Sequence, residues 1–312
     1  MPVPTPTRRS RSCPAALAFA AIVLLGAAPA PAQTAGDTGW QALLDRYLRA
    51  EPAVKGQPAE TRFDYEQLYV DEGIWPSRSS ARLSAIHQRM FAVTPSALEP
   101  KARMAWALNA YNFLVVERAT LLLLVPRHKF QRYESVAQMS SGDGGFFEAQ
   151  VAQVEGRSYS IGQFERWFVY GDSTPMYEPR RVAGDPRLMF ALCRGSVGGP
   201  SLPARAFKPE SLDAQLDRCT RNALESSRFA SQDPASKSLL VSDYLGERLL
   251  DFGGSQSGLV GFLEKQGPSA LRSFLRREKI ARVARFTRVD PDLNQVPRAK
   301  PAPPAPPPAA KS

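Results

Sequence analysis

Reactive and charged side chains gather in one short stretch, residues 185–200. It contains one thiol, Cys193, one hydroxyl on a glycine-rich turn, Ser196, and two guanidinium groups, Arg187 and Arg194. A Cys or Ser beside a general base can act as a nucleophile. Arginines instead bind carboxylates or phosphates through forked hydrogen bonds. The stretch therefore admits either covalent chemistry or the binding of an anion.

Upstream, Glu165 and Arg166 stand next to each other in a segment whose pattern predicts a short helix, residues 163–170. A carboxylate near the stretch could act as a general base, or it could orient another group. It could also pair with an arginine. If Arg166 and Arg194 line the same cleft, that cleft is cationic.

The element expected to carry the stretch is a buried strand. The run from Leu188 to Cys193 is apolar without interruption, and three glycines follow it, at positions 195, 198 and 199. Alternate side chains of a strand face opposite sides, so a run that is apolar on both sides predicts a central strand. A loop directly after such a strand is a common place for a functional site.

A second expected element is a long helix from Pro100 to Val125, with Pro126 ending it. It is apolar nearly all round, so it should be buried. Two starts are compatible with the sequence. Ser96 and Glu99 have the spacing of a capping box; alternatively, Pro100 takes the first helical position, where its missing N–H costs nothing.

The same helix carries Asn109, Tyr111 and Asn112. The two asparagines are three residues apart and so share a face. A buried carboxamide needs partners, because leaving one unsatisfied costs about 1–3 kcal/mol. They either tie down the backbone of a neighbouring loop or orient a catalytic group, and we favour the first interpretation.

The remaining pattern predicts an α+β fold: a helix-rich single domain with a buried central helix and a small sheet. A hairpin is expected around Glu155-Gly156, with strands 151–154 and 158–161, and a short strand at 239–241. Further helices are expected at residues 40–48, 81–91, 209–229 and 244–252, with another starting at Leu259. The basic segment 269–288 either lies on an anionic membrane or is the solvated face of a packed helix.

The composition is that of a globular protein, since 43% of the residues are hydrophobic and 22% are charged. The formal net charge of +10 favours acidic partners. Residues 1–32 have the features of a signal peptide: a basic start, a short apolar run and Ala30-Pro31-Ala32 before Gln33. A short membrane anchor is the alternative. We expect a periplasmic or secreted protein, for which nucleic acid is not an expected partner.

The expected boundaries are a signal peptide at 1–32, a leader and first helix at 33–60, a globular domain at 61–294 and a Pro-rich disordered tail at 295–312. Beyond the signal peptide, Cys193 and Cys219 either pair or stay free. His87 and His128 are far apart, so no metal site is expected. No cofactor is expected either, since the chain has neither a Walker loop nor a dinucleotide fingerprint.

Several pieces together resemble the domain of unknown function 547 family, over roughly residues 60–294. They are Phe63-Asp64-Tyr65, the helix segment Ala107-Leu108-Asn109-Ala110-Tyr111-Asn112, Gly156-Arg157-Ser158-Tyr159-Ser160 before Glu165, Asp185-Pro186-Arg187 before Phe190-Ala191-Leu192, Asp251-Phe252-Gly253, and Asp290 with Leu293-Asn294.

The resemblance also implies departures from the family pattern. The family places His after its Glu, His in the strand, and Cys at two positions, where this chain has Arg166, Met189, Arg194 and Gly199. The family's closing Tyr-Asp-Trp is Val289-Asp290-Pro291 here. A His/Cys/Glu set would suit thiol chemistry or a metal site, and this chain lacks the thiol and both imidazoles at those places.

The leading hypothesis is therefore an exported protein that has lost the reactive residues and binds an anionic envelope ligand. The partner would be an anionic small molecule, a wall polymer or a lipid surface. The candidate ligand-binding residues are Asn109, Tyr111, Asn112, Glu165, Arg166, Arg187 and Arg194. The alternative is an envelope hydrolase or transferase that uses Cys193 or Ser196 as nucleophile and Glu165 as base or orienting group.

Overall fold

Helices dominate the described part of the chain, and its strands form only small sheets. The structure, a computed structural model, describes residues 38–51, 60–124, 132–141, 144–175 and 177–297. All of these belong to one compact unit. The α+β expectation is confirmed.

The helices are α1 Trp40–Tyr47, α2 Tyr65–Asp71, α3 Ala81–Phe91, α4 Pro100–Leu121, α5 Ile161–Phe164, α6 Leu212–Glu225, α7 Asp243–Gly246, α8 Gln256–Gln266 and α9 Ser269–Arg277. The strands are β1 Leu48–Ala50, β2 Thr61–Phe63, β3 Ser140–Ser141, β4 Gly144–Gly145, β5 Gln150–Val154, β6 Arg157–Ser160, β7 Ala230–Asp233, β8 Ser238–Ser242 and β9 Arg285–Thr287. Strands β1–β2, β3–β4 and β5–β6 are antiparallel pairs. In the three-stranded sheet, β8 lies between antiparallel β7 and parallel β9.

Helix α4 is the centre of the larger of two hydrophobic clusters, and its residues from Ala105 to Val116 are all buried. Pro100 occupies the first turn, and the side chain of Glu99 makes no capping hydrogen bond, so the second of the two expected starts is correct. The helix ends at Leu121, earlier than expected. The chain then turns, and Leu124 pairs with Arg132. Val125 and Pro126 lie outside the described residues.

The expected strand at residues 188–193 is wrong. Leu188–Ala191 form a 3₁₀ turn, and the backbone becomes extended only at Leu192. The run is apolar because the turn lies between the two cores. Leu188 and Leu192 belong to the larger cluster, whereas Met189 and Phe190 belong to the second cluster. A short buried run has no period by which to tell a helical turn from a strand.

Asn109 and Asn112 each hold loop backbone with both ends of their side-chain amides. Asn109 donates to the carbonyl of Phe207 at 2.9 Å and accepts from its N–H at 2.8 Å. Asn112 donates to the carbonyl of Ala191 at 2.9 Å and accepts from the N–H of Cys193 at 2.8 Å. The favoured interpretation, in which the asparagines tie down loop backbone, is confirmed.

The predicted hairpin is confirmed as β5–β6, with Glu155 and Gly156 both at positive φ in the turn. The segment predicted as one helix at 244–252 is instead α7 followed by a 3₁₀ turn, Leu249–Phe252, which Gly253 ends in a left-handed conformation. Helix α6 begins at Leu212, after a 3₁₀ turn at Pro209–Ser211, and ends before residue 229.

The basic segment 269–288 is mostly not helical. Helix α9 ends at Arg277, and its apolar residues Leu271, Phe274 and Leu275 are buried in the second cluster. The structure favours the solvated face of a packed helix over a membrane-bound one. Of the helices within the described ranges, none is long and apolar enough to cross a membrane.

The assigned signal peptide and residues 298–312 of the tail lie outside the described residues. Residues 295–297 are described, and they do not begin a separate tail. Gln295 pairs with Phe63, and the N–H of Val296 donates to the carbonyl of Phe63 at 3.2 Å. The ordered backbone therefore continues past residue 294.

The clamp by Asn112 gives a first prediction. Asn112→Ala leaves a buried carbonyl and a buried N–H without partners, and it should lower the free energy of unfolding by about 2–4 kcal/mol. Urea denaturation measures the change. The matched control is Asn222→Ala on the exposed surface of α6, which should stay within about 0.5 kcal/mol of the wild type. Equal stability of the two variants would contradict the role of the clamp.

Candidate functional site

Glu165 and Arg194, two of the residues singled out from the sequence, meet in the structure. Nη1 of Arg194 donates to Oε2 of Glu165 at 3.0 Å. Nη2 of Arg248 donates to Oε1 of the same carboxylate at 2.8 Å. One buried carboxylate is therefore shared by two guanidinium groups.

These three side chains lie at a cavity of about 460 Å³, the arginine cleft. Its wall includes Glu165, Arg166, Arg180, Arg194, Arg248 and Phe147. Glu148 and Glu247 are exposed on its rim. The expected convergence of Arg194, Arg166 and Glu165 is present, and Asn109 is not part of the wall.

The local backbone conformation sets the directions of the Glu165 and Arg194 side chains. Glu165 begins a π-helical turn, Glu165–Val169, that continues α5, and such turns recur at functional sites. Arg194 directly follows Cys193, whose N–H is held by Asn112. Gly195 then turns the chain at φ 70°, where a Cβ would come within 2.8 Å of Val136 Cγ1.

Arg180 and Arg248 surround the ring of Tyr170. The guanidinium carbon of Arg180 lies 3.8 Å from the ring centroid, and Arg180 Nη2 donates to Asp251 Oδ2 at 2.5 Å. Arg248 Nη1 donates to the hydroxyl of Tyr170 at 2.9 Å. Asp251 also accepts from the N–H of Gly184 at 2.8 Å. The aromatic face and the two carboxylates offset the cost of burying the cations.

The electrostatics keep Glu165 ionised. Burial by itself would raise the pKa of Glu165, but Arg248 and Arg194 outweigh it and lower that pKa below its ordinary value. Four arginines and three glutamates line the cleft, and two of the glutamates, Glu148 and Glu247, are exposed on its rim. Asp251, which does not line the cleft, pairs with Arg180.

The hydroxyl of Tyr111 is fully buried and has no hydrogen-bond partner in the structure. Burial raises its pKa well above the ordinary value, and the charges of Glu165 and Arg194 act on it. Nη1 of Arg180 is likewise buried without a partner. Such buried donors are uncommon. Arg180 lines the arginine cleft, and Tyr111 is affected by the charges of two residues that line it, Glu165 and Arg194.

Two other candidate binding residues have different roles. Arg166 donates to the carbonyls of Pro175 and Glu178 at 2.7 and 2.6 Å, so it shapes a wall of the cleft. Arg187 pairs with Asp185, Asp213 and Asp217 and is not part of the cleft wall. As contacts for a ligand, these two expectations are not supported.

Comparison with known protein families places most of the site in a shared segment. Residues 95–223 match the family model described as a protein of unknown function, DUF547. We refer to residues 95–223, the part of the chain that is similar to this family, as the DUF547 segment. The resemblance drawn from the sequence is confirmed over these residues, which include Tyr111, Glu165, Arg180 and Arg194. No curated protein and no solved structure matches the chain.

Arg248 and Asp251 lie outside the DUF547 segment and complete the cleft from the following part of the chain. Sequence reasoning missed Arg180, Arg248 and Tyr170 altogether. Asp251 was noted only as part of a family motif. The available signal was weak: Arg248 was one charged residue within a segment, 244–252, that was expected to be helical.

Both candidate nucleophiles, Cys193 and Ser196, lie in the DUF547 segment. Cys193 is buried, and burial raises the pKa of its thiol to about 11. Ser196 pairs through its backbone with Leu293. His87, one of two possible bases, binds Glu117 at 2.8 Å instead, and the other lies outside the described residues.

Cys193 and Cys219 are both free thiols, so they do not form a disulfide. The described ranges contain no group of three or more His, Cys, Asp or Glu residues that could hold a metal.

The lowered pKa of Glu165 gives a second prediction. A carboxylate whose pKa is lower in the folded state stabilises the fold above its unfolded pKa, and this contribution is lost as the pH falls through the folded value. Glu165→Gln should lower the free energy of unfolding by about 3 kcal/mol near neutral pH. The difference from the wild type should shrink below about pH 4.3.

Urea denaturation across a pH series measures this difference. Glu247→Gln is the matched control, since this carboxylate is exposed on the rim and its removal should change stability little. A gap between wild type and Glu165→Gln that stays constant down to strongly acidic pH would refute the assignment.

The thiol pKa values give a third prediction. With a pKa of about 11, about one Cys193 thiol in ten thousand is ionised at neutral pH. Burial also raises the pKa of Cys219, to about 12. Iodoacetamide should therefore alkylate neither thiol in the folded protein and both in urea, as read by peptide mass spectrometry. Rapid labelling of Cys193 in the folded protein would restore it as a nucleophile.

Proposed function

We propose that this protein is exported and binds a small anionic ligand in the arginine cleft, without catalysing a reaction. The observation that carries the proposal is the convergence of Arg180, Arg194 and Arg248 on one cavity around the carboxylate of Glu165. Guanidinium groups present several hydrogen-bond donors in a fixed arrangement that matches a carboxylate or a phosphate.

Arg194 is the contact we assign to the ligand. Its side chain is 31% exposed, against 11% for Arg248 and 13% for Arg180. Its guanidinium lies 4.5 Å from the ring centroid of Phe147, which restrains its direction. It donates to Glu165 through Nη1 alone, so other donors of the fork are available to a carboxylate or phosphate.

Glu165 has a preparatory role in this proposal. Buried cations need a partner when the cleft is empty, and the carboxylate holds Arg194 and Arg248 by separate oxygens. The arginines are thus oriented before a ligand arrives, which reduces the ordering cost of binding. The burial of Cys193, which also raises the pKa of its thiol, argues against covalent chemistry at this residue.

The same proposal includes the compartment in which the protein would meet its ligand. The features of residues 1–32 support export to the periplasm or the medium. Without residues 1–32, which carry Arg8, Arg9 and Arg11, the formal net charge of +10 becomes about +7, and this charge still favours acidic material there. A wall fragment, a soluble acid or a lipid headgroup would each supply the carboxylate or phosphate that the cleft requires.

The fourth prediction tests this site by calorimetry with defined probes: inorganic phosphate, an acidic peptide, and N-acetylmuramate beside the neutral N-acetylglucosamine. At least one anion should bind, and the neutral sugar should not. Arg194→Gln should weaken that binding by about tenfold or more, because a charged hydrogen bond is lost. Arg194→Lys should recover it only partly, since lysine has no fork.

Arg181→Gln is the control, because this arginine is exposed on the neighbouring loop and pairs with Glu178. It should bind as the wild type does. The proposal fails if no anion binds, if the neutral sugar binds as well as the acid, or if Arg194→Gln leaves the affinity unchanged.

A further inference from the structure

A second cavity, of about 260 Å³, lies along α6 and next to the segment 200–205. We call it the α6 cavity. Among the described residues, none lines both this cavity and the arginine cleft. Phe190, Leu202 and Ala223 form much of its apolar wall. Its volume suits a small molecule better than a polymer chain.

The side chain of Phe190 in this wall is held in place by packing against other aromatic rings. Its ring stacks on Phe262 with 6.1 Å between centroids and meets Phe229 edge-on at 5.9 Å. The side chains of Phe190 and Leu202 are 1% and 3% exposed. The apolar side of the cavity is thus set by packed core residues.

The polar side of the α6 cavity is cationic. Arg205, Arg218 and Arg228 line it together with a single carboxylate, Glu60. Glu60 already pairs with Arg228. Arg218 is exposed on α6, and Nε of Arg228 is buried without a partner. Arg205 pairs with Asp45, which does not line the cavity. Arg218 and the Nε of Arg228 are therefore the cationic groups that the cavity offers to a ligand.

We propose that the α6 cavity binds an amphipathic monocarboxylate, a short to medium straight-chain acid. Its tail would cover the more accessible apolar lining, Pro203, Ala204 and Cys219, and its carboxylate would meet Arg218 and Arg228. A tail-less anion would leave that lining in contact with water. A neutral amphiphile would leave the arginine donors unpaired. The acid satisfies both sides.

Calorimetry with the purified protein and a series of acids tests the tail. Octanoate should bind more tightly than hexanoate and butanoate, with affinity rising about fourfold for each methylene that the cavity buries. Octanamide, which has the same tail without the charge, should bind at least about tenfold more weakly. Equal affinity for octanoate and octanamide, or for octanoate and acetate, would overturn the proposal.

Substitutions of two arginines on helix α6 test whether the positive charge of Arg218 contributes to binding. Arg218→Gln should weaken octanoate binding by about tenfold. Arg221→Gln is the matched control, since this exposed arginine lies on the same helix and does not line the cavity. An equal loss of octanoate affinity in Arg218→Gln and Arg221→Gln would refute the assignment.

Substitutions that fill the α6 cavity test whether the acid binds there. Ala223→Leu should abolish octanoate binding, and Ala204→Phe at the exposed rim should do the same if the core variant does not fold. A crystal soaked with ω-bromo-octanoate should show an anomalous bromine peak beside Phe190. A bromine peak elsewhere, or undiminished binding by a folded variant with the cavity filled, would contradict the proposal.

Discussion

The side chain of Asn112 fixes the backbone on which the candidate site depends. Helix α4 is buried on nearly every side, so a polar group on it must find its partners inside the protein. Asn112 finds them in the carbonyl of Ala191 and the N–H of Cys193. From the other core, the hydroxyl of Tyr244 donates to the carbonyl of Met189 at 2.8 Å. The turn that leads to Arg194 is thus held from two directions.

Once that backbone is fixed, the charges of the arginine cleft follow from a balance of burial and pairing. A guanidinium that leaves water needs a carboxylate or an aromatic face near it. Arg180 has Asp251 and the ring of Tyr170, whereas Arg248 shares Glu165 with Arg194. Arg194 is the most exposed of the three, which is why the proposed ligand contact falls on it.

The sequence could predict those parts of the structure that produce a regular pattern of residues. The all-apolar pattern of α4 identified a buried helix, and the two asparagines on one face pointed to loop backbone as their partner. The Glu155-Gly156 turn and the buried leucines of α6 were equally readable. Each of these features depends on residues close together in the chain.

The rest depends on contacts between distant segments. Arg166 was expected at a ligand because its partners, the carbonyls of Pro175 and Glu178, are backbone groups that no residue type reveals. Arg248 lies 83 positions from its partner Glu165 and looks in sequence like any surface arginine. The turn at Leu188–Ala191 looked like a strand because its side chains enter two different cores, and that erases any periodicity.

The same turn also connects the two proposed sites. Phe190, within it, forms the wall of the α6 cavity, and Arg194, just after it, enters the arginine cleft. The clamps from Asn112 and Tyr244 hold the backbone between them. Because packed interiors transmit small shifts, a change in the turn would reach both cavities. A substitution confined to either wall changes only one of them, and for that reason the two sites can be separated by experiment.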